Sequence, residues 1–185
     1  MLSKSRSKDG SPCETPHGFL IDLDLAKYVG RNPTTLNCTS SSVRRRTGTI
    51  LFMAIEILEG TGLRHSWRHD LESFFYVFIW LCAIVPPDAY PGAQSQFERT
   101  WAGTGAASLK YMQVTQEEMY QEMIAWIPKS MKGGAVERVI WGWRGVLFPA
   151  RVGRLGYVIG DWGQDMGEVY KDMIAVLERE LLESQ

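Results

Sequence analysis

His69-Asp-Leu-Glu-Ser-Phe-Phe-Tyr-Val-Phe78 continues as Ile79-Trp-Leu-Cys-Ala-Ile-Val85 and stops at Pro86-Pro87. From about Arg68 to Val85 the chain is apolar on nearly every face of a helix. A helix apolar all round is expected to be buried all round. The two prolines end it, because proline has no N–H to donate and its ring crowds the preceding turn. Asp70 falls in the first turn, where the helix dipole favours an acid. The apolar run, Phe74 to Val85, is well short of the ~20 residues a membrane-spanning helix needs. It therefore belongs in a protein core, and 185 residues suit one domain built around such a core.

Upstream lies Gly48-Thr-Ile-Leu-Phe-Met-Ala-Ile-Glu56. Phe52 to Leu58 is expected to form a short helix stopped by Gly60 and Gly62. Before it, residues 27–49 are polar, with Asn32-Pro33, the Thr39-Ser-Ser-Ser42 run and Arg44-Arg45-Arg46. So long a stretch without periodicity is uncommon in a compact domain unless the loop is functional. Further back, Gly18-Phe-Leu-Ile-Asp22-Leu-Asp24-Leu-Ala26 offers two short strands, Gly18 to Ile21 and Leu23 to Ala26, turning at Asp22. Residues 1–17 read as a flexible leader or hairpin insert, rich in Ser, Lys and Pro.

Downstream, residues 86–110 read as a loop around a short helix near Gln96 to Trp101. Thr115 with Glu118 suggests a capping box that opens a helix to about Ile127, with Met119, Met123, Ile124 and Ile127 on its inner face. Gly133-Gly134 separates it from a segment around Ala135 to Trp143. The last helix spans Met166 to Leu182 and is amphipathic through Val169, Met173, Val176, Leu177 and Leu181. The fold expected is mainly α, with a short β-hairpin at its N-terminal end.

The formal net charge of -1 gives no reason to expect nucleic acid or an anionic membrane as partner. Charge is uneven: residues 1–46 hold 8 Lys or Arg against 4 acids, the remainder 12 against 17. The basic part is expected to be a solvated stretch. Cys13, Cys38 and Cys82 form no Cys-x-x-Cys pair, and three scattered cysteines argue for a reducing, intracellular compartment (cytoplasm or nucleus). The first ten residues lack the apolar core of a secretory signal.

The order and spacing of the three quoted segments resemble one stretch of protein kinases, from the metal-binding turn through the activation segment to the central helix of the large lobe. Kinases carry Asp-Phe-Gly and Ala-Pro-Glu where this chain has Asp22-Leu23-Asp24 and Ala54-Ile55-Glu56. The wording Leu-Ile-Asp-Leu-Asp-Leu-Ala with Asp70-Leu-Glu-Ser-Phe-Phe-Tyr is similar to the fungal-type protein kinase family in particular. The resemblance implies a kinase-like C-terminal lobe fragment over residues 18–185, with no small lobe. Residues 27–49 would be its activation-segment loop and 68–85 its central buried helix.

By the same resemblance Asp22 is the metal ligand, since Mg2+ prefers anionic oxygen and bridges nucleotide phosphates in this class. Thr49 and Glu56 would anchor the substrate-docking end of the activation segment. Glu56 would pair with an arginine of the later helices; Arg144, Arg151 and Arg154 are candidates, and the sequence does not choose between them. A buried carboxylate needs such a partner. Asp70 would accept hydrogen bonds from the catalytic-loop backbone. The plainer readings are a strand-end acid for Asp22, an exposed helix acid for Glu56 and a first-turn acid for Asp70. Position within the three-segment frame favours the kinase roles. Arg44 to Arg46 beside Thr47 read as a solvated charge run rather than a phosphate site. His65 and His69, four apart, lack a third ligand for zinc. Gly60-Thr-Gly62 and Gly103-Thr-Gly105 lack the strand and third glycine of a nucleotide loop.

The 185 residues contain no glycine-rich loop, no strand lysine and no His-Arg-Asp loop. No catalytic or nucleotide-binding residue is therefore assigned. The expectation is a kinase fragment that begins just past the catalytic asparagine and is inactive alone. Its parent activity would be ATP-dependent phosphoryl transfer to protein Ser or Thr. Mg2+ and ATP belong to the intact family, and this chain alone is expected to bind neither. A protein substrate belongs to the intact family too, and a protein partner could cover the exposed lobe face. The alternative is a non-catalytic helical interaction module derived from a kinase.

Overall fold

The computed structural model describes residues 49–60, 65–149 and 165–183. All of them fall in the unit Arg45–Gln185, and the other unit, Met1–Arg44, lies outside them. The β-hairpin at Gly18 to Ala26, the leader at 1–17 and all of the 27–49 loop but its last residue are therefore outside the described residues. The rest is helical, and no strand occurs among the described residues.

A 3-10 turn at Ile50–Phe52 leads through two extended residues, Met53 and Ala54, into α1, Ile55–Glu59. One continuous helix was expected across Phe52 to Leu58. The break arises because the Met53 carbonyl is taken by a distant lysine, described below, instead of continuing a helix. Gly60 ends α1 at φ +69, the left-handed conformation that glycine adopts without penalty.

α2, Trp67–Ile84, matches the apolar run. It buries Leu71, Phe75, Tyr76, Ile79, Cys82 and Ala83 in the main hydrophobic core. Burial on every face does not hold, however: Phe74 is 62% exposed, Leu81 42% and Val85 70%. These three share one row of the helix, while α3, α6 and the 3-10 turn at Ile50–Phe52 pack against it elsewhere. α3, Ala93–Phe97, runs into a π-helical turn at Glu98–Ala102 that buries Trp101. The Trp101 ring packs edge-on against Phe97 and Tyr76, at 4.5 and 5.0 Å between centroids.

α4, Ala106–Thr115, begins in the 86–110 stretch expected to be loop. Its buried residues are Ala106, Lys110, Gln113 and Val114, so polar residues hold two of four core positions and hide the helical period. The expected capping box at Thr115 is absent. Thr115 closes α4 and its hydroxyl donates to the Tyr111 carbonyl at 2.7 Å. Extended Gln116 forms the joint, and α5 is Glu117–Ile124. Tyr120, Met123 and Ile124 are buried there, while Met119 stays at the edge.

After a 3-10 turn at Lys129–Met131, α6 spans Ala135–Leu147 and α7 spans Met166–Glu183. The two helices pack closely at Gly142, where a Cβ would lie 2.8 Å from Val176 Cγ1. Trp143 of α6 donates its indole N–H to the Met173 carbonyl at 3.0 Å and packs against Phe78 of α2. Of the residues expected inward on α7, Val169, Met173 and Val176 are buried and Leu177 half-buried. Leu181 points out. The next inward position is Glu180, held by Arg138 at 2.6 Å and Arg179 at 3.3 Å. No helix among the described residues is long and apolar enough to cross a membrane.

Candidate functional site

Residues 49–56 have almost no regular hydrogen bonding of their own, so other elements must satisfy their backbone. Lys110, reaching from α4, donates to the Leu51 carbonyl at 2.9 Å and the Met53 carbonyl at 2.7 Å. From α2, Glu72 accepts the Ile55 N–H at 2.8 Å and the Tyr76 hydroxyl at 3.1 Å on the same oxygen, Oε1. The Lys110 ammonium lies 4.0 Å from the Tyr76 ring centroid, within cation–π range. Phe52 packs edge-on against Trp80 of α2. Two helices thus grip three backbone groups, at positions 51, 53 and 55.

Lys110 and Glu72 are essentially inaccessible to solvent. Burial pulls the Lys110 ammonium down to about 7, with the Glu72 charge opposing. Burial pushes the Glu72 carboxyl up; the Ile55 bond, Arg68, the Tyr76 bond and Lys110 all resist. The Tyr76 phenol is raised well above its usual value, first by burial and then by Glu72. Low dielectric strengthens each bond in such a cluster and makes any missing partner costly.

A second clamp closes the segment at its far end. Glu56 receives an ion pair from Arg68 and a bond from His69 Nε2 at 2.8 Å, both on Oε2. The Ser66 N–H donates to His69 Nδ1 at 3.0 Å, so Nδ1 keeps its lone pair and Nε2 carries the proton. Burial lowers the His69 pKa most, with the Glu56 bond working the other way. The neutral ring therefore ties the entry of α2 to the last residue of the Ala54-Ile55-Glu56 triplet. His65 stacks on His69 at 5.5 Å and pairs with Asp70 at 3.0 Å.

The residues expected to matter are only partly gathered here. Glu56 is partly buried, its side chain 12% exposed, and held in an ion pair rather than standing free as a helix acid. Among the described residues Glu56 pairs with Arg68 of α2. Arg144 donates to the Val114 carbonyl and to Glu117, bracing α4 and α5 against α6. Arg151 and Arg154 lie outside the described residues, as does Asp22. Thr49 is exposed, and its carbonyl accepts the Phe52 N–H that closes the 3-10 turn. Asp70 is more than half exposed, with His65 as partner. Among the described residues no three His, Cys, Asp or Glu gather as a metal site.

Sequence reading missed Lys110, Glu72 and Arg68. Glu72 carried a usable signal, since an acid past the first turn of an otherwise apolar helix must find partners, and Tyr76 stands one turn on. Lys110 carried none, because both carbonyls it holds are nearly sixty residues away.

Residues 1–82 match the model of the fungal protein kinase family. That match bears out the resemblance and covers the clamped segment and nearly all of α2. Neither the curated proteins nor the solved structures yielded a match.

Proposed function

We propose that this chain carries the substrate-docking side of a fungal-type protein kinase large lobe and does not itself transfer phosphate. The observation that carries the reading is the double clamp on residues 51–56. Its closing pair falls on the Glu56 position of a kinase-type triplet, within the residues that match the family. Parent activity in this class is phosphoryl transfer from ATP to protein Ser or Thr, which depends on positioning and charge stabilisation. The grip on residues 51–56 supports the docking part of this reading. Asp22 remains the candidate Mg2+ ligand of the intact arrangement, with Thr49 and Glu56 as ends of the docking turn and Asp70 as support for the catalytic loop.

A second reading is a non-catalytic interaction module. The exposed apolar row Phe74, Leu81 and Val85 on α2 favours it, since contiguous exposed apolar surface marks interaction sites. Incubating the purified chain with radiolabelled ATP, Mg2+ and protein substrates tests the first reading. No incorporation is expected, and turnover that disappears in Asp22→Ala would overturn it.

A further inference from the structure

α7 turns two apolar faces outward from its axis. Val169, Met173 and Val176 enter the core. A second row, Tyr170, Ile174, Leu177 and Leu181, covers about 60° of arc at 3.6 residues per turn. Tyr170 is 40% exposed, Ile174 51% and Leu181 65%, while Leu177 packs partly against the core. The spacing is four, three, four, which is the seam of a two-stranded coiled coil over two heptads. Tyr170 also packs on Trp67 of α2, so the row continues onto the body of the protein.

The charges beside the seam say what covers it. On one flank Met173 and Glu180 are buried, and Arg138 of α6 holds Glu180, so the charges there are already paired. On the other flank Lys171 and Glu178 stand in solvent seven residues apart. In a parallel helix pair each open flank would face one whose charges are already paired. In an antiparallel pair open flank meets open flank. Tyr170 then lies opposite Leu181 of a second copy and Ile174 opposite Leu177, and Lys171 meets Glu178 twice about a two-fold axis. The lysine's bond to Glu168 within one chain, at 2.7 Å between exposed groups, is weak enough to give way.

We propose that α7 is a self-association seam through which two copies of this chain pair antiparallel. The surface is self-complementary in shape order and in charge, as an isologous two-fold contact requires. This inference is independent of the kinase reading.

Sedimentation of the full 185-residue chain across concentration tests it, with circular dichroism to confirm that each variant is folded. A monomer–dimer equilibrium is expected. Ile174→Glu should weaken it about tenfold or more by placing a charge in the apolar seam. Lys171→Glu and Glu178→Lys should each weaken it by opposing like charges, and the double exchange should restore it. A chain that stays monomeric, or a dimer indifferent to Ile174→Glu, would overturn the proposal. A double exchange that fails to restore pairing would overturn the antiparallel arrangement.

Discussion

Lys110 shows how a single side chain can set a backbone that sequence pattern alone would draw differently. Its ammonium takes the Leu51 and Met53 carbonyls, and the chain between the 3-10 turn and α1 stays extended. Lys110→Met keeps most of the volume but strands both acceptors, at a cost of about 1–3 kcal/mol. Its pH signature follows from linkage. A lysine whose folded pKa is depressed from 10.5 to about 7 contributes stability that is present above 10.5 and is lost as pH falls towards 7. Denaturant titrations from pH 7 to 10 should show stability rising with pH by up to about 1.4 kcal/mol per unit from this group. The rise should be missing in Lys110→Met, and identical slopes in both proteins would refute it. At this scale the sequence was partly readable: Glu56 could be named in advance as an acid in need of an arginine, but its pairing with Arg68 could not. Arg68 is only twelve residues on, yet nothing local tells that α1 folds back onto the entry of α2.

Among the elements, α2 and α7 were legible because eighteen residues of consistent pattern outweigh any local irregularity. α4 was not, because Lys110 and Gln113 sit where a pattern reading expects apolar groups. Each is satisfied by a remote partner, Gln113 accepting the Trp101 indole N–H at 2.7 Å. The faces of α2 were also misjudged, since an all-apolar helix gives no sign of which row is left open. Adjacent phenylalanines make that difference measurable. Phe75 is fully buried, whereas Phe74 is 62% exposed. Phe75→Ala should destabilise by about 3–5 kcal/mol, and Phe74→Ala should change stability by no more than about 0.5 kcal/mol. Equal losses in urea unfolding would mean that a partner or another part of the chain covers the Phe74 row.

For the molecule as a whole, the described residues form a helical body whose centre is α2, and its most specialised feature is the grip on residues 51–56. The mainly helical character was readable from periodicity, and the likeness to the fungal protein kinase family from three short segments. The grip was not, because it joins α1, α2 and α4 through side chains far apart in sequence. Hydrogen exchange, resolved by residue on the full chain, reaches this central claim most directly. The Ile55 amide, bonded to Glu72, should exchange as slowly as the Phe75 to Ala83 amides of α2, and through the same opening. Lys110→Met and Glu72→Ala should speed it selectively while the α2 amides keep their order of protection. An Ile55 amide that exchanges in the unaltered protein as fast as an unstructured one, or that ignores both substitutions, would contradict the account.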